Sequence, residues 1–201
     1  MRKSVIAFAL IGALGFGYVL FPSATAAVSP PAGYSVKIDV SGGHGSGVHI
    51  GDGYILTAAH VTEKGAAEVL LDNGQKRPAQ LLWSNADYDV ALLRIDGQGL
   101  EAVPLSCEAP KVGSTFRAYG SPSNVDFVST SGSVVGAVRE QGPWKQVVVV
   151  DATIIPGMSG GGLIAHGRVV GLSVGVMAIN GLTGIGYAVP GSAICLLMAR
   201  S

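Results

Sequence analysis

Charged side chains are scarce in this 201-residue sequence. Thirteen Lys and Arg face thirteen Asp and Glu, 13% of the chain in all, and the formal net charge is zero. A surface so sparsely and evenly charged offers no basic face to nucleic acid and no acidic tail of the kind that stays disordered. Cysteine is limited to Cys107 and Cys195, and neither stands in a C-x-x-C, which argues against thiol redox chemistry. The four histidines form no H-E-x-x-H and no Cys/His cluster, so neither a metal nor another cofactor is expected. Long apolar runs are missing too, with one exception at the N-terminus.

That exception begins with Arg2 and Lys3 and continues through an uncharged, mostly apolar stretch from Val5 to Phe21. Ala24-Thr25-Ala26 then fits an A-x-A cleavage site. Residues 1–26 therefore read as a signal peptide or, if uncleaved, as a membrane anchor through 5–21, near the lower length limit for spanning a bilayer. Either reading places the remainder outside the cytoplasm, in the periplasm, in the extracellular space or tethered to the membrane. In such a compartment an even cysteine pair forms a disulfide, so Cys107 and Cys195 are expected to be bridged. Pro30, Pro31 and Gly33 mark 27–33 as a linker, and the folded domain is expected over 34–201.

What is abundant is glycine, thirty residues of it, between short Val/Ile/Leu runs. That pattern predicts an all-β domain of short strands and tight turns. The first group of candidate strands is 34–40, 46–50, 54–58, 67–71, 77–83 and 90–95, with Asp72-Asn73-Gly74 as a hairpin turn that uses positive φ angles. The second group is 114–119, 125–138, 146–152, 162–165, 168–176 and 184–189. Two six-stranded antiparallel β-barrels follow, about 34–95 and about 112–190, joined by a Gly- and Pro-containing connection. The one helix expected is 191–199, with Ile194, Leu197 and Met198 on its buried stripe.

Three segments carry chemistry. GSGVHIGDGYILTAAHV (45–61) leads to His60, where a strand gives way to a loop. ADYDVALLRI (86–95) sets Asp89 directly before an apolar strand, with Asp87 as a solvated neighbour. DATIIPGMSGGGLI (151–164) puts Ser159 in a glycine-rich turn. A serine hydroxyl needs a base to take its proton, and histidine titrates in the right range. A carboxylate then fixes the imidazole tautomer and stabilises its charged form. Glycines around Ser159 let the backbone N–H groups of Gly157 and Ser159 point at an oxyanion. The chain order His, Asp, Ser is that of the chymotrypsin arrangement.

From about residue 42 to 199 the sequence resembles the protease domain of HtrA-like (Deg-type) trypsin-like serine proteases, without the PDZ modules many of them carry. GYILTAAHV, DYDVALLRI, GMSGGGL and GIGYAVP fall in that family's order and approximate spacing. The resemblance implies a serine endopeptidase acting on polypeptides, with the triad His60, Asp89 and Ser159 in the cleft between perpendicular barrels. It implies that Ser173 and Gly175, flanking Val174, bind an extended peptide as an added strand, and that Ser173 supports the catalytic Asp. Thr153, Ile154, Gly175 and Ile185 would line the primary specificity pocket. No carboxylate occupies its base, so a small or medium aliphatic residue is expected before the scissile bond. It also implies that the terminal helix packs against the first barrel, within reach of a Cys107–Cys195 bridge. Met158 and Ile155 stand where relatives usually have Asn, and are expected to alter the rim of the cleft. Trp83 and Trp144 are expected to be packing residues. The alternatives are a protease-fold peptide-binding module with a collapsed oxyanion turn, or a protease that processes only itself. The sequence leaves the oligomeric state open.

Overall fold

A computed structural model describes residues 33–63, 65, 67–179 and 182–200. The N-terminal segment 1–26 and most of the linker, 27–32, lie outside them. In the first half, strands β1 (Ser35–Val40), β2 (Gly43–Gly51), β3 (Tyr54–Thr57), β4 (Ala67–Leu70), β5 (Lys76–Asn85) and β6 (Val90–Arg94) close in the order β1-β2-β3-β6-β5-β4. In the second, β7 (Thr115–Gly120), β8 (Val128–Gln141), β9 (Trp144–Val150), β10 (Gly162–Ala165), β11 (Arg168–Ile179) and β12 (Leu182–Pro190) close in the order β10-β11-β12-β9-β8-β7. All named strand pairs run antiparallel. The all-β, two-barrel expectation holds, and closure leaves no free sheet edge within either barrel.

Alternation fixes the strand faces. Val36 and Ile38 of β1 point inward and are fully buried, together with Val48, Ile55, Val69 and Leu93. This core continues into Leu172, Val189 and Ile194 of the second half. A second cluster, with Phe116, Val134, Val150, Met158 and Leu163, fills the other barrel. Each such side chain contributes about 1.5–3 kcal/mol on burial.

Two local expectations are corrected. His60 does not stand in a loop: β3 runs into a one-turn helix, α1 (Ala59–Thr62), whose Thr62 hydroxyl donates to Ala59 O at 2.9 Å. In the β4–β5 hairpin Gly74 alone takes a positive φ, +81°, while Asn73 accepts the Gln75 N–H on its side chain. A type I turn closed by Gly74 N–H to Leu71 O at 2.9 Å explains this, because only its last residue needs the left-handed region. The terminal helix α2 (Gly191–Met198) lies along β11 and β12, and its buried Ala193 and Ile194 join the hydrophobic cluster that holds the core of the first barrel. The inter-barrel connection runs beside the helix, with Ser106 N–H bonded to Val169 O at 2.9 Å. The Cys107–Cys195 disulfide joins helix to connection, with Cα atoms 5.5 Å apart.

Candidate active site

Barrel one presents His60 and Asp89 at strand ends. Small Ala58 and Ala59 let α1 start directly after β3, and the helix carries His60 outward while Val61 and Thr62 are buried beneath it. Asp89 precedes β6 and is only 6% exposed, with its backbone in the left-handed region at φ +56°. Asp tolerates that region better than most residues. There Asp89 Oδ1 accepts the His60 backbone N–H at 2.9 Å, and Oδ2 accepts His60 Nδ1–H at 2.7 Å. The hydrogen bond to Asp89 raises the His60 imidazole above its ordinary value, against a desolvation that alone would lower it. For Asp89, burial alone would raise the carboxyl. The hydrogen bonds from the His60 ring and backbone, joined by Trp144, outweigh it and hold Asp89 below its ordinary value.

Barrel two presents a turn. Met158 N–H donates to Ile155 O at 3.0 Å, with Pro156 and Gly157 between them and Gly157 at φ +96°. Proline followed by a residue with positive φ makes this a type II turn, whose central peptide is rotated by roughly 150° from its type I setting. Among the described residues neither Gly157 N–H nor Ser159 N–H has a hydrogen-bond partner. Nor does any hydrogen bond join Ser159 Oγ to His60 Nε2 among them; in serine hydrolases that contact is commonly long until substrate is bound. The turn is nevertheless docked on the start of α1: a Cβ on Gly160 would come within 2.6 Å of Ala58 N.

Each half is anchored by a residue of the other that sequence reasoning missed. From β2 the fully buried Ser46 donates its N–H to Ser159 O at 2.8 Å and its hydroxyl to Gly157 O at 2.7 Å, while its Oγ accepts Ser121 N–H at 2.8 Å. From β9, Trp144 donates its indole N–H to Asp89 Oδ2 at 3.3 Å. Trp144 is thus more than packing. Ser46 lies in the same glycine-flanked motif that leads to His60, which is the one sequence signal that pointed near it.

The residues expected to meet substrate divide. Ser173 is buried, and its hydroxyl donates to Met158 O at 2.6 Å, not to Asp89. Trp144 occupies the supporting role the resemblance gave to Ser173. The Ser173 N–H is committed to Gly161 O, and its carbonyl already accepts Gly160 N–H at 2.7 Å with one lone pair to spare. A bulge separates Ser173 from Gly175 in the β11–β12 register, with Val174 buried between them. Ile154 is 3% exposed and belongs to the barrel-two core; a Cβ on Gly186 would lie 2.7 Å from its Cδ1. Thr153 is exposed and offers its carbonyl to the Thr130 hydroxyl at 3.1 Å. Ile185 is 40% exposed. Met158 does not reach the rim of the cleft: its side chain is buried in the barrel-two core. Ile155 does face solvent.

Two of the three remaining histidines have local hydrogen-bond partners. His44 Nε2 bonds to Ser121 O at 3.0 Å beside Gly157. Buried His49 bonds Glu101 O through Nδ1 at 2.6 Å and accepts Gly53 N–H at Nε2, which fixes its tautomer. His166 sits in the β10–β11 turn at φ +50°.

The sequence profile of the trypsin-like peptidase domain matches residues 45–172. The chain belongs to the trypsin-like peptidase family. Within it, a probable periplasmic serine endoprotease, DegP-like, from Halomonas elongata is 37% identical over 73% of this chain and 32% of its own. The chloroplastic protease Do-like 1 of Arabidopsis thaliana is 33% identical over 76% of this chain and 38% of its own. The chain thus spans about a third of the length of these relatives. Among solved structures, the HtrA-type protease AlgW with tripeptide superposes with a TM-score of 0.77, at 29% identity over 86% of this chain and 61% of that one.

Proposed function

We propose that this trypsin-like peptidase domain is a serine endopeptidase that hydrolyses polypeptides through an acyl-enzyme. The observation that carries the reading is the two-point hold of Asp89 on His60, at 2.7 and 2.9 Å, beside the turn that bears Ser159. Ser159 Oγ attacks the peptide carbonyl carbon and its proton passes to His60 Nε2. The oxyanion is met by the N–H groups of Gly157 and Ser159. Collapse breaks the C–N bond, and His60 returns the proton to the leaving amine. Water then attacks the acyl ester with His60 again as base, releasing the acid and restoring Ser159. Asp89 holds the tautomer that leaves Nε2 free to accept.

An extended peptide adds alongside Ser173–Gly175, using the second lone pair of the Ser173 carbonyl. The residue before the scissile bond is small or medium and aliphatic. Supporting this, Ile154 fills the space beneath Gly186, and Thr153 brings no carboxylate to balance a desolvated Lys or Arg. The domain works outside the cytoplasm, tethered or free. The disulfide and the likeness to the periplasmic DegP-like relative of Halomonas elongata favour that.

The test is incubation of the protein with an unfolded polypeptide, with cut sites mapped by mass spectrometry beside a Ser159→Ala control. Cuts after aliphatic residues that vanish in the control support the proposal. Peptide that binds and is never cut overturns it in favour of a binding module.

A further inference from the structure

The tip of the β8–β9 hairpin crosses from the second barrel and fastens the loop that carries Asp89. Lys145 N–H donates to Asp87 O at 2.8 Å, and the Lys145 ammonium pairs with the Asp87 carboxylate. Beside them, Trp144 Nε1–H reaches Asp89 Oδ2 at 3.3 Å, the oxygen that also accepts His60 Nδ1–H. The loop needs such a hold, because Asp89 keeps a left-handed backbone that an unrestrained chain rarely populates.

The far end of the same indole lies on the strand proposed to pair with substrate. A Cβ on Gly175 would come 2.6 Å from Trp144 Cη2, so only glycine admits the ring there. Tyr187, which pairs with Gly175 across β12, packs on the ring at 5.4 Å between centroids. One flat, stiff side chain therefore touches Gly175 at one end and the triad carboxylate at the other. It has no internal torsion beyond its attachment, so a shift of the ring at Gly175 is a shift of Nε1 at Asp89.

We propose that Trp144 is a positioning residue that couples occupancy of the Ser173–Gly175 strand to the setting of the Asp89 carboxylate. The inference rests on the hydrolase reading above. Its consequence is selection by peptide length. Residues remote from the scissile bond press on the Trp144 ring and raise kcat, where simple extra contacts would only lower KM.

Two anilides with the same leaving group, one of four residues and one of a single residue, test this with wild type and Trp144→Phe. The phenyl ring keeps an aromatic group at this position but removes both the N–H and the outer ring edge that reaches Gly175. In the variant the kcat advantage of the longer substrate shrinks roughly three- to tenfold, as expected for a weak hydrogen bond to a charged group, while KM changes less. An unchanged kcat ratio overturns the proposal. A second arm needs neither folding of that variant nor turnover. The Ser159→Ala protein is titrated with a four-residue product peptide while the His60 Nδ1–H and Trp144 Nε1–H proton resonances are followed. The two move together on one binding curve if the link exists; a Trp144 signal that moves while His60 stays fixed overturns it. A wild-type protein that cuts neither anilide speaks against the hydrolase reading instead, and the titration still decides the coupling.

Discussion

The two barrels share a topology of six strands but contribute to the cleft in opposite ways. Barrel one offers side chains on short, firmly bonded ends, His60 on α1 and Asp89 ahead of β6. Barrel two offers mainly backbone, a turn whose Gly157 and Gly160 both take positive φ. Each is steadied by its partner, yet unequally. Ser46 makes three short hydrogen bonds from a fully buried position, whereas the hairpin tip holds the Asp89 loop through one long bond from Trp144 and the exposed Lys145–Asp87 contacts. A site divided between two rigid cores keeps its geometry only as well as these crossing contacts. The turn should therefore be the more firmly held half, and the Asp89 loop the more adjustable.

The largest effect is expected at Asp89. Asn tolerates the left-handed backbone equally well, so Asp89→Asn should leave the loop in place and change only the chemistry. Turnover of a peptide substrate should fall about 10⁴-fold through the wrong imidazole tautomer. A much smaller loss would mean that the adjustable half is not part of the machinery.

Next comes the bridge that fastens barrel two to the connection. Replacing Cys107 and Cys195 together by Ala opens a loop of sequence separation 88. The variant should lose up to about 4–5 kcal/mol of stability on the loop-entropy account, measured by denaturant unfolding. Ser46→Ala should cost about 1–3 kcal/mol, because Ser121 N–H and Gly157 O lose a buried partner. It should lower kcat about tenfold by loosening the oxyanion turn. If kcat is untouched, the turn is held by its own glycines and proline, and the comparison between the halves weakens.

The smallest effect is a displacement along the pH axis. In the proposed mechanism His60 must be neutral to act as base, and its value is raised, so the acid limb of kcat/KM should have its midpoint above 6.5. The stability contribution runs the other way. For His60 it is present below about 6.5 and lost as pH rises through the raised value. For Asp89 it is present above 3.8 and lost as pH falls through the lowered value. Activity should therefore climb where the His60–Asp89 ion pair stops stabilising the fold. Thermal unfolding and kcat/KM recorded over the same pH series check this.

Most strands were legible because alternation and turn residues are local signals. The bounds moved where those signals fade, as in β8, which runs on through Val138-Arg139-Glu140-Gln141 although three of those residues are polar. His60, Asp89 and Ser159 could be named because each stands in a local motif with its own chemistry. α1 was hidden because a single turn has no periodicity to read. The roles of Ser46 and Trp144 were invisible for a deeper reason. Their partners lie 111 and 55 residues away, across the barrel interface, and no spacing encodes which side chain arrives there. The support of Asp89 that the resemblance implies for Ser173 comes instead from the indole of Trp144, while the Ser173 hydroxyl turns to Met158 O.

The claim that the two halves together activate one serine is tested most directly by a fluorophosphonate, followed by peptide mapping of the adduct. The account predicts a single adduct on Ser159, formed by the folded protein and absent both after denaturation and in Ser159→Ala. A folded protein that stays unmodified, or one modified at another serine, would contradict it.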